Sequence, residues 1–258
     1  MNILEEILAY KKLEVGNNRS ERPMNFLERQ PSFFRECYSL REALENKGRK
    51  PVIAEFKRRS PSKGWINENA DAEKITNGYA MHGAAALSVL TDEKYFGSTA
   101  SDFPIARKQL LPILRKDFIV DEYQIVETKS IGADIILLIA AALSKAQILQ
   151  FSKTAKNLGL QVLLELHEER EIDFICDSVD VIGINNRDLK TFKVDIDQSI
   201  RLAEKLEGIC KIAESGLSDL NTIKHLQMFG FNGFLIGEAF MKKEDPVLAF
   251  KNFFNAEN

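Results

Sequence analysis

The stretch that decides the fold runs from Ile135 to Leu166 and reads IILLIAAALSKAQILQFSKTAKNLGLQVLLEL. It opens on five apolar residues, Ile135-Ile136-Leu137-Leu138-Ile139, and closes on a second apolar run, Val162–Leu166. Each run is too short for a free-standing helix and lacks polar alternation, the pattern of a strand buried on both faces. Between them Ser144 can cap a helix whose apolar face carries Ile148, Phe151, Ala155 and Leu158, and Gly159 is its stop. A strand, an amphipathic helix and a second strand of this kind form a unit of parallel sheet, because parallel strands need a crossover and its apolar face must cover the sheet.

Six more such runs flank this unit: Val52–Phe56, Ala85–Leu90, Pro112–Leu114, Val181–Ile184, Lys211–Ala213 and Gly233–Ile236. A second legible helix has Ser218 as its expected cap and Leu220, Ile223, Leu226 and Phe229 on one face before Gly230. Eight units favour closure into a (β/α)8 TIM barrel over an open doubly wound sheet, and no GxGxxG follows the first strand. The first fifty residues do not fit the repeat. Ile3, Leu4, Ile7 and Leu8 share a helical face, and the chain beyond is broken by Pro23 and Pro31. No Gly/Ser-rich linker divides the chain, so residues 1–258 are expected to form one barrel domain, with residues 1–50 as an N-terminal helical extension.

Composition agrees. The chain has 258 residues, 45% hydrophobic and 28% charged, enough apolar material for one large core. A net charge of −3 gives no electrostatic case for nucleic acid, so an anionic ligand must be held by local donors. The acidic start, Met1-Asn2-Ile3-Leu4-Glu5-Glu6, is unlike a signal peptide, and no apolar run reaches membrane length. A cytoplasmic protein that binds no membrane is expected, as a monomer. Cys37, Cys176 and Cys210 are odd in number, widely spaced and outside any CxxC, which reads as free thiols. His82, His167 and His225 lack metal-ligand spacing, and neither metal nor organic cofactor is expected.

The informative pattern is what ends each apolar run. The runs end in Glu55-Phe56-Lys57, Arg115-Lys116-Asp117, Glu165-Leu166-His167, Asn185-Asn186-Arg187-Asp188, Glu214-Ser215-Gly216 and Gly237-Glu238. In a barrel all strand C-termini gather at one mouth, and residues two apart on a strand share a face. Strands emerging into solvent would explain a few of these endings. They would not explain carboxylates, ammonium groups and an amide set in otherwise apolar surroundings. Ser215-Gly216 and Gly237 follow the last two strands, where barrels frequently bind phosphate on backbone N–H groups.

These residues carry a resemblance. Glu55-Phe56-Lys57-Arg58-Arg59-Ser60-Pro61-Ser62 resembles the strand-one signature of indole-3-glycerol-phosphate synthases. So do Leu90-Thr91-Asp92-Glu93-Lys94-Tyr95-Phe96, Leu114-Arg115-Lys116-Asp117-Phe118-Ile119 and Gly183-Ile184-Asn185-Asn186-Arg187-Asp188-Leu189, with Glu214-Ser215-Gly216 and Leu235-Ile236-Gly237-Glu238 completing the set. The loop after Phe96 is shorter than is usual there, and the segment between Glu165 and Asn185 is slightly short.

The resemblance implies a lyase of tryptophan biosynthesis that closes the ring of 1-(2-carboxyphenylamino)-1-deoxyribulose 5-phosphate, decarboxylates it and removes water, giving indole-3-glycerol phosphate. It implies Glu55, Lys57, Lys116, Glu165 and Asn185 as the catalytic set. Lys116 is the expected acid for ring closure and Glu165 the base or cation stabiliser, while the division of proton transfers between Lys116 and Lys57 stays open. Lys57, Ser215, Gly216, Gly237 and Glu238 would hold the phosphate. Ser60, Phe96, Phe118, Leu137, Arg187, Leu189 and Glu214 would line the rest of the substrate site, and part of the extension would lie over the mouth. Two other functions fit a barrel: an isomerase of related phosphoribosyl compounds, which would want an acid or thiol on strand one and a later Asp, and a non-catalytic phosphate sensor. Glu-x-Lys on strand one and the density of ionisable groups favour the synthase.

Overall fold

Strands buried on both faces suit either an open sheet covered by helices or a closed one, and here the sheet closes on itself. The structure is a computed structural model describing residues 2–188 and 192–254. Its eight parallel barrel strands are β1 (Lys50–Phe56), β2 (Ala84–Leu90), β3 (Ile113–Lys116), β4 (Ile135–Ile139), β5 (Gln161–Leu166), β6 (Val181–Asn185), β7 (Lys211–Glu214) and β8 (Gly233–Ile236). They run in sequence order round the barrel, with β1 hydrogen-bonded to both β2 and β8. The apolar runs therefore mark the strands. The strands also continue into the polar endings, so Lys116, Asn185 and Glu214 are strand residues rather than loop residues.

Two cores result. One lies between the sheet and its surrounding helices, and includes Val52, Leu87, Ile136, Leu164, Ile182 and Phe234. The other fills the barrel, from Ile53, Leu114, Leu137, Leu163, Val181, Ile212 and Leu235. Stepping by two along each strand toward the mouth continues these inner rows. Ile53 leads to Glu55 and Lys57, Leu114 to Lys116, Leu163 to Glu165 and His167, Val181 to Gly183 and Asn185, Ile212 to Glu214, and Leu235 to Gly237. On β1, β3, β5 and β7 the inner row changes from hydrocarbon to charge in one step, while β4 stays apolar through Ile139.

The helix over Lys145–Asn157 is capped by Ser144, whose side chain accepts from the Gln147 N–H, and Gly159 leaves it at φ 73°. The later helix, Leu220–Met228, is not capped by Ser218. Asp219 holds that place, accepting from the Thr222 N–H at 2.9 Å, and Ser218 lines the mouth instead. A carboxylate one residue nearer the helix is simply the better acceptor for the free N–H groups. After β5 the short segment forms a six-residue 3-10 helix, Glu169–Phe174, where the other units suggest an α-helix.

The extension closes both ends of the barrel. Its first helix, α1 (Ile3–Glu21), begins in an Asn2 capping box and lays Ile3, Leu4 and Ile7 against the mouth. Leu8, expected on the same face, is half-buried and takes no part in the mouth. Pro23 and Pro31 end regular structure as expected, each starting a four-residue turn of helix. Further on, the helix Leu40–Glu45 plugs the opposite end, where Leu40 and Leu44 join the inner core. Gly233 at the start of β8 has no room for a side chain because Leu44 lies against it.

Candidate active site

The inner rows end in a cavity of about 390 Å³ at the mouth. Glu55, Lys57, Lys116, Glu165, Asn185, Ser215, Gly216, Gly237 and Glu238 all line it, with Ser60, Phe96, Phe118, Leu137, Arg187 and Glu214. Of the expected residues only Leu189 is missing, and it lies outside the described residues.

Lys116 is the centre of the charge arrangement. Its Nζ donates to Glu165 Oε2 at 2.9 Å and lies 3.3 Å from Glu214 Oε2. The other oxygen of Glu165 accepts from Asn185 Nδ2 at 3.2 Å. Asn185 Oδ1 in turn accepts the Arg187 N–H at 3.0 Å, which fixes its amide. Across the cavity Lys57 pairs with Glu55. Burial alone would push the Lys116 ammonium down, but Glu165, Glu214 and Glu55 outweigh it and hold it firmly protonated. Burial would likewise push Glu165 up, and Lys116 first, then His167, hold it well below the usual carboxylate range. Glu214 goes the other way: burial outweighs Lys116, the neighbouring Glu165 adds to it, and its carboxyl is pushed up to about 8. Three groups within hydrogen-bond reach thus offer a cation, an anion and a neutral acid.

Glycine makes two of these carboxylates possible. A Cβ at Gly183 would strike the Glu214 carboxylate, and one at Gly237 would strike that of Glu55. Gly237 has φ −128°, so it is there for space rather than for left-handed backbone. The turn after β7 does need special backbone: Ser215 at φ 68° and Gly216 at φ 72° are consecutive left-handed residues. A non-glycine there is uncommon and costs of order 1–3 kcal/mol, the kind of strain that clusters at ligand clamps. The Ser215 carbonyl is pinned by Asn186 Nδ2 at 2.7 Å. The Glu238 side chain turns to Arg187, 3.7 Å away, so any contact it makes with an anion has to come from its backbone. Phe96 and Phe118, with ring centroids 6.2 Å apart, form an aromatic wall beside Leu137 and Ile139.

These features make a charged, partly aromatic pocket at the barrel mouth. A family model of indole-3-glycerol phosphate synthase matches residues 4–253. The chain belongs to that family. It is 45% identical to the indole-3-glycerol phosphate synthase of Bacteroides thetaiotaomicron, over 99% of this chain and 98% of that one. To those of Laribacter hongkongensis and Salinibacter ruber it is 43% identical, covering 98% and 95% of this chain and 99% and 93% of theirs. Among solved structures, thiamine phosphate pyrophosphorylase from Pyrococcus furiosus superposes with TM-score 0.58 at 15% identity, over 84% of this chain and 96% of that one. That likeness shows the barrel fold alone.

Several site residues escaped the sequence reading. Ile139, Leu235 and Phe192 add to the apolar lining. Lys11 is buried in α1 and reaches Asp92 at 2.8 Å and Asp117 at 3.0 Å, the residues after the β2 and β3 endings, beside Glu14. Asp117 also meets Arg115 at 3.1 Å; Arg115 holds Glu127, and Glu127 meets Arg22 just past α1. The signal existed: Ile7, Lys11 and Val15 are four residues apart, placing a lysine in an apolar stripe. Trp65 is a packing residue, covering Gly97 beside Arg59 outside the cavity lining.

Proposed function

We propose that this mouth performs the family's reaction, turning 1-(2-carboxyphenylamino)-1-deoxyribulose 5-phosphate into indole-3-glycerol phosphate, carbon dioxide and water. The observation that carries the assignment of roles is Lys116 held protonated between Glu165 and Glu214 within the mouth cavity. Attack of the carboxylate-bearing ring carbon on the C2′ carbonyl creates an alkoxide, and Lys116 supplies its proton. Loss of carbon dioxide then restores the ring. Dehydration removes one proton and protonates the departing hydroxyl. Glu165, as an anion, receives or stabilises positive charge, and the Glu55–Lys57 pair faces it from β1 for the second transfer. Asn185 and Arg187 orient polar groups of the substrate, and Ser60, Phe96, Phe118, Leu137 and Glu214 surround it. Lys57, Ser215 and the backbone of Gly216, Gly237 and Glu238 take the phosphate.

The rest of the proposal concerns the molecule that carries the site. Residues 1–258 act as one barrel domain whose extension shields the intermediate from water. A monomer in the cytoplasm, binding neither nucleic acid nor membrane, is the simplest setting. The three free thiols support the cytoplasmic part of that setting, and among the described residues no helix is long and apolar enough to cross a membrane.

The test follows indole fluorescence and carbon dioxide release after addition of the carboxyphenylamino ribulose phosphate, for the wild type and Lys116→Ala. Equal yields of both products are expected from the wild type. The variant should turn over roughly 10²–10⁴-fold more slowly with unchanged circular dichroism. Near wild-type turnover in the variant would remove Lys116 from the mechanism.

A further inference from the structure

His167 is the outermost residue of the inner row Leu163, Glu165, His167 on β5 and its ending, so it shares a face with Glu165. It lies outside the lining of the cavity, and its side chain is only 9% exposed. Its Nε2 stands 3.2 Å from Glu165 Oε1, and neither ring nitrogen has a hydrogen-bond partner among the described residues. The backbone on either side is held. Its N–H donates to Glu171 Oε2 at 2.6 Å, and its carbonyl accepts from Gln198 Nε2 at 3.1 Å. A buried imidazole is costly to leave without a polar partner, and the group this one is aimed at is a carboxylate the reaction uses.

We infer that His167 is a positioning residue for the reaction, its imidazole backing the Glu165 carboxylate from behind the cavity wall so that one carboxylate oxygen stays turned to Lys116. Two hydrogen bonds hold the carboxylate, from Lys116 of β3 on Oε2 and from Asn185 of β6 on Oε1, and the imidazole stands against Oε1 as a third, electrostatic neighbour at 3.2 Å. Without the imidazole, Oε1 keeps only the long Asn185 bond, and the carboxylate is less firmly oriented toward Lys116.

The charges facing the pair are Lys116 from β3, Glu214 from β7, Glu55 from β1 acting through Lys116, and Glu171 from the 3-10 helix. Burial would push the imidazole down, and Glu165, then Glu171 and Glu214, bring it above the ordinary histidine range. The influence is mutual, because His167 follows Lys116 among the groups that keep Glu165 ionised against burial. The inference rests on Glu165 being a proton-handling group.

The test compares His167→Leu with His167→Gln, which keeps an N–H donor. In His167→Leu kcat should fall about ten-fold with KM within about two-fold, and the acidic limb of kcat/KM should move toward neutrality by about one pH unit, the equivalent of that ten-fold change. His167→Gln should recover most of kcat. Unchanged kcat and acidic limb in the Leu variant would overturn the inference. So would an equal loss in both variants without a shift of the limb, the mark of a packing role. Should the Leu variant fail to fold, ¹⁵N imidazole NMR on the wild type and Glu165→Gln decides. The His167 midpoint should fall when Glu165 loses its charge, and an identical midpoint in both would overturn it. Full activity of Glu165→Gln would count against the role given to Glu165 and leave the imidazole titration as it was, so the two failures are separable.

Discussion

At the scale of single residues, position in a row mattered more than residue type. Glu55, Lys116, Glu165 and Glu214 were legible because each breaks an apolar run at its end, where the barrel gathers them. His167 carries the same positional signal, two residues beyond Glu165, yet without a metal motif it reads as an ordinary histidine. Gly183 was opaque for another reason: its purpose is the space it leaves for Glu214, which no pattern within β6 records. Glu214 carries a prediction about pH. Its folded carboxyl is raised from 4.5 to about 8, so the folded chain binds that proton more tightly than the unfolded chain does between those values. The stability it contributes is complete below about pH 4.5 and is lost as pH rises toward 8. In Glu214→Gln that decline should flatten, while His167, also raised, contributes in the same direction in both proteins. Urea unfolding from pH 5 to 8 gives the comparison, and parallel curves would show that Glu214 is ionised throughout.

At the scale of elements, α1 does two things that different residues separate. Lys11 and Arg22 clip it to the alternating charges Asp92, Asp117, Arg115 and Glu127, most of them buried. Removing one partner from such a set costs roughly 3–5 kcal/mol, because the remaining charges stay buried. Deleting the helix would therefore confound stability with catalysis. Leu4 touches the cavity and takes no part in the charge ladder. Leu4→Ala is expected to raise KM several-fold while shifting the melting temperature by no more than a few degrees. A lowered melting temperature with unchanged steady-state kinetics would make α1 a structural cap alone. The helix was visible in sequence as an apolar face, and Ile3, Leu4 and Ile7 of that face do meet the mouth, but its further anchorage was not legible. The face centres on Ile7, Lys11 and Val15, and a lysine is ordinarily assigned to solvent.

At the scale of the whole molecule, eight short apolar runs, with no GxGxxG after the first, pointed to the barrel over an open doubly wound sheet, and the closed sheet bears that out. The one weak unit, after β5, shows in sequence only as a shortage of residues. A net charge of −3 draws no phosphate toward the protein, so recognition has to be local. Sulfate should bind weakly, compete with substrate, and occupy the turn at Ser215-Gly216 and the start of the segment at Gly237 in a soaked crystal. Sulfate found elsewhere, with those turns empty, would displace the phosphate site. The plug at the far end has a consequence for how the chain is made. Leu40 and Leu44 leave the ribosome early, yet the Gly233 against which Leu44 rests belongs to the final strand. The stopper is synthesised before the bottle: it can lean first on β1 and β2, which follow it directly, but its full seat against Gly233 exists only once β8 has closed the ring.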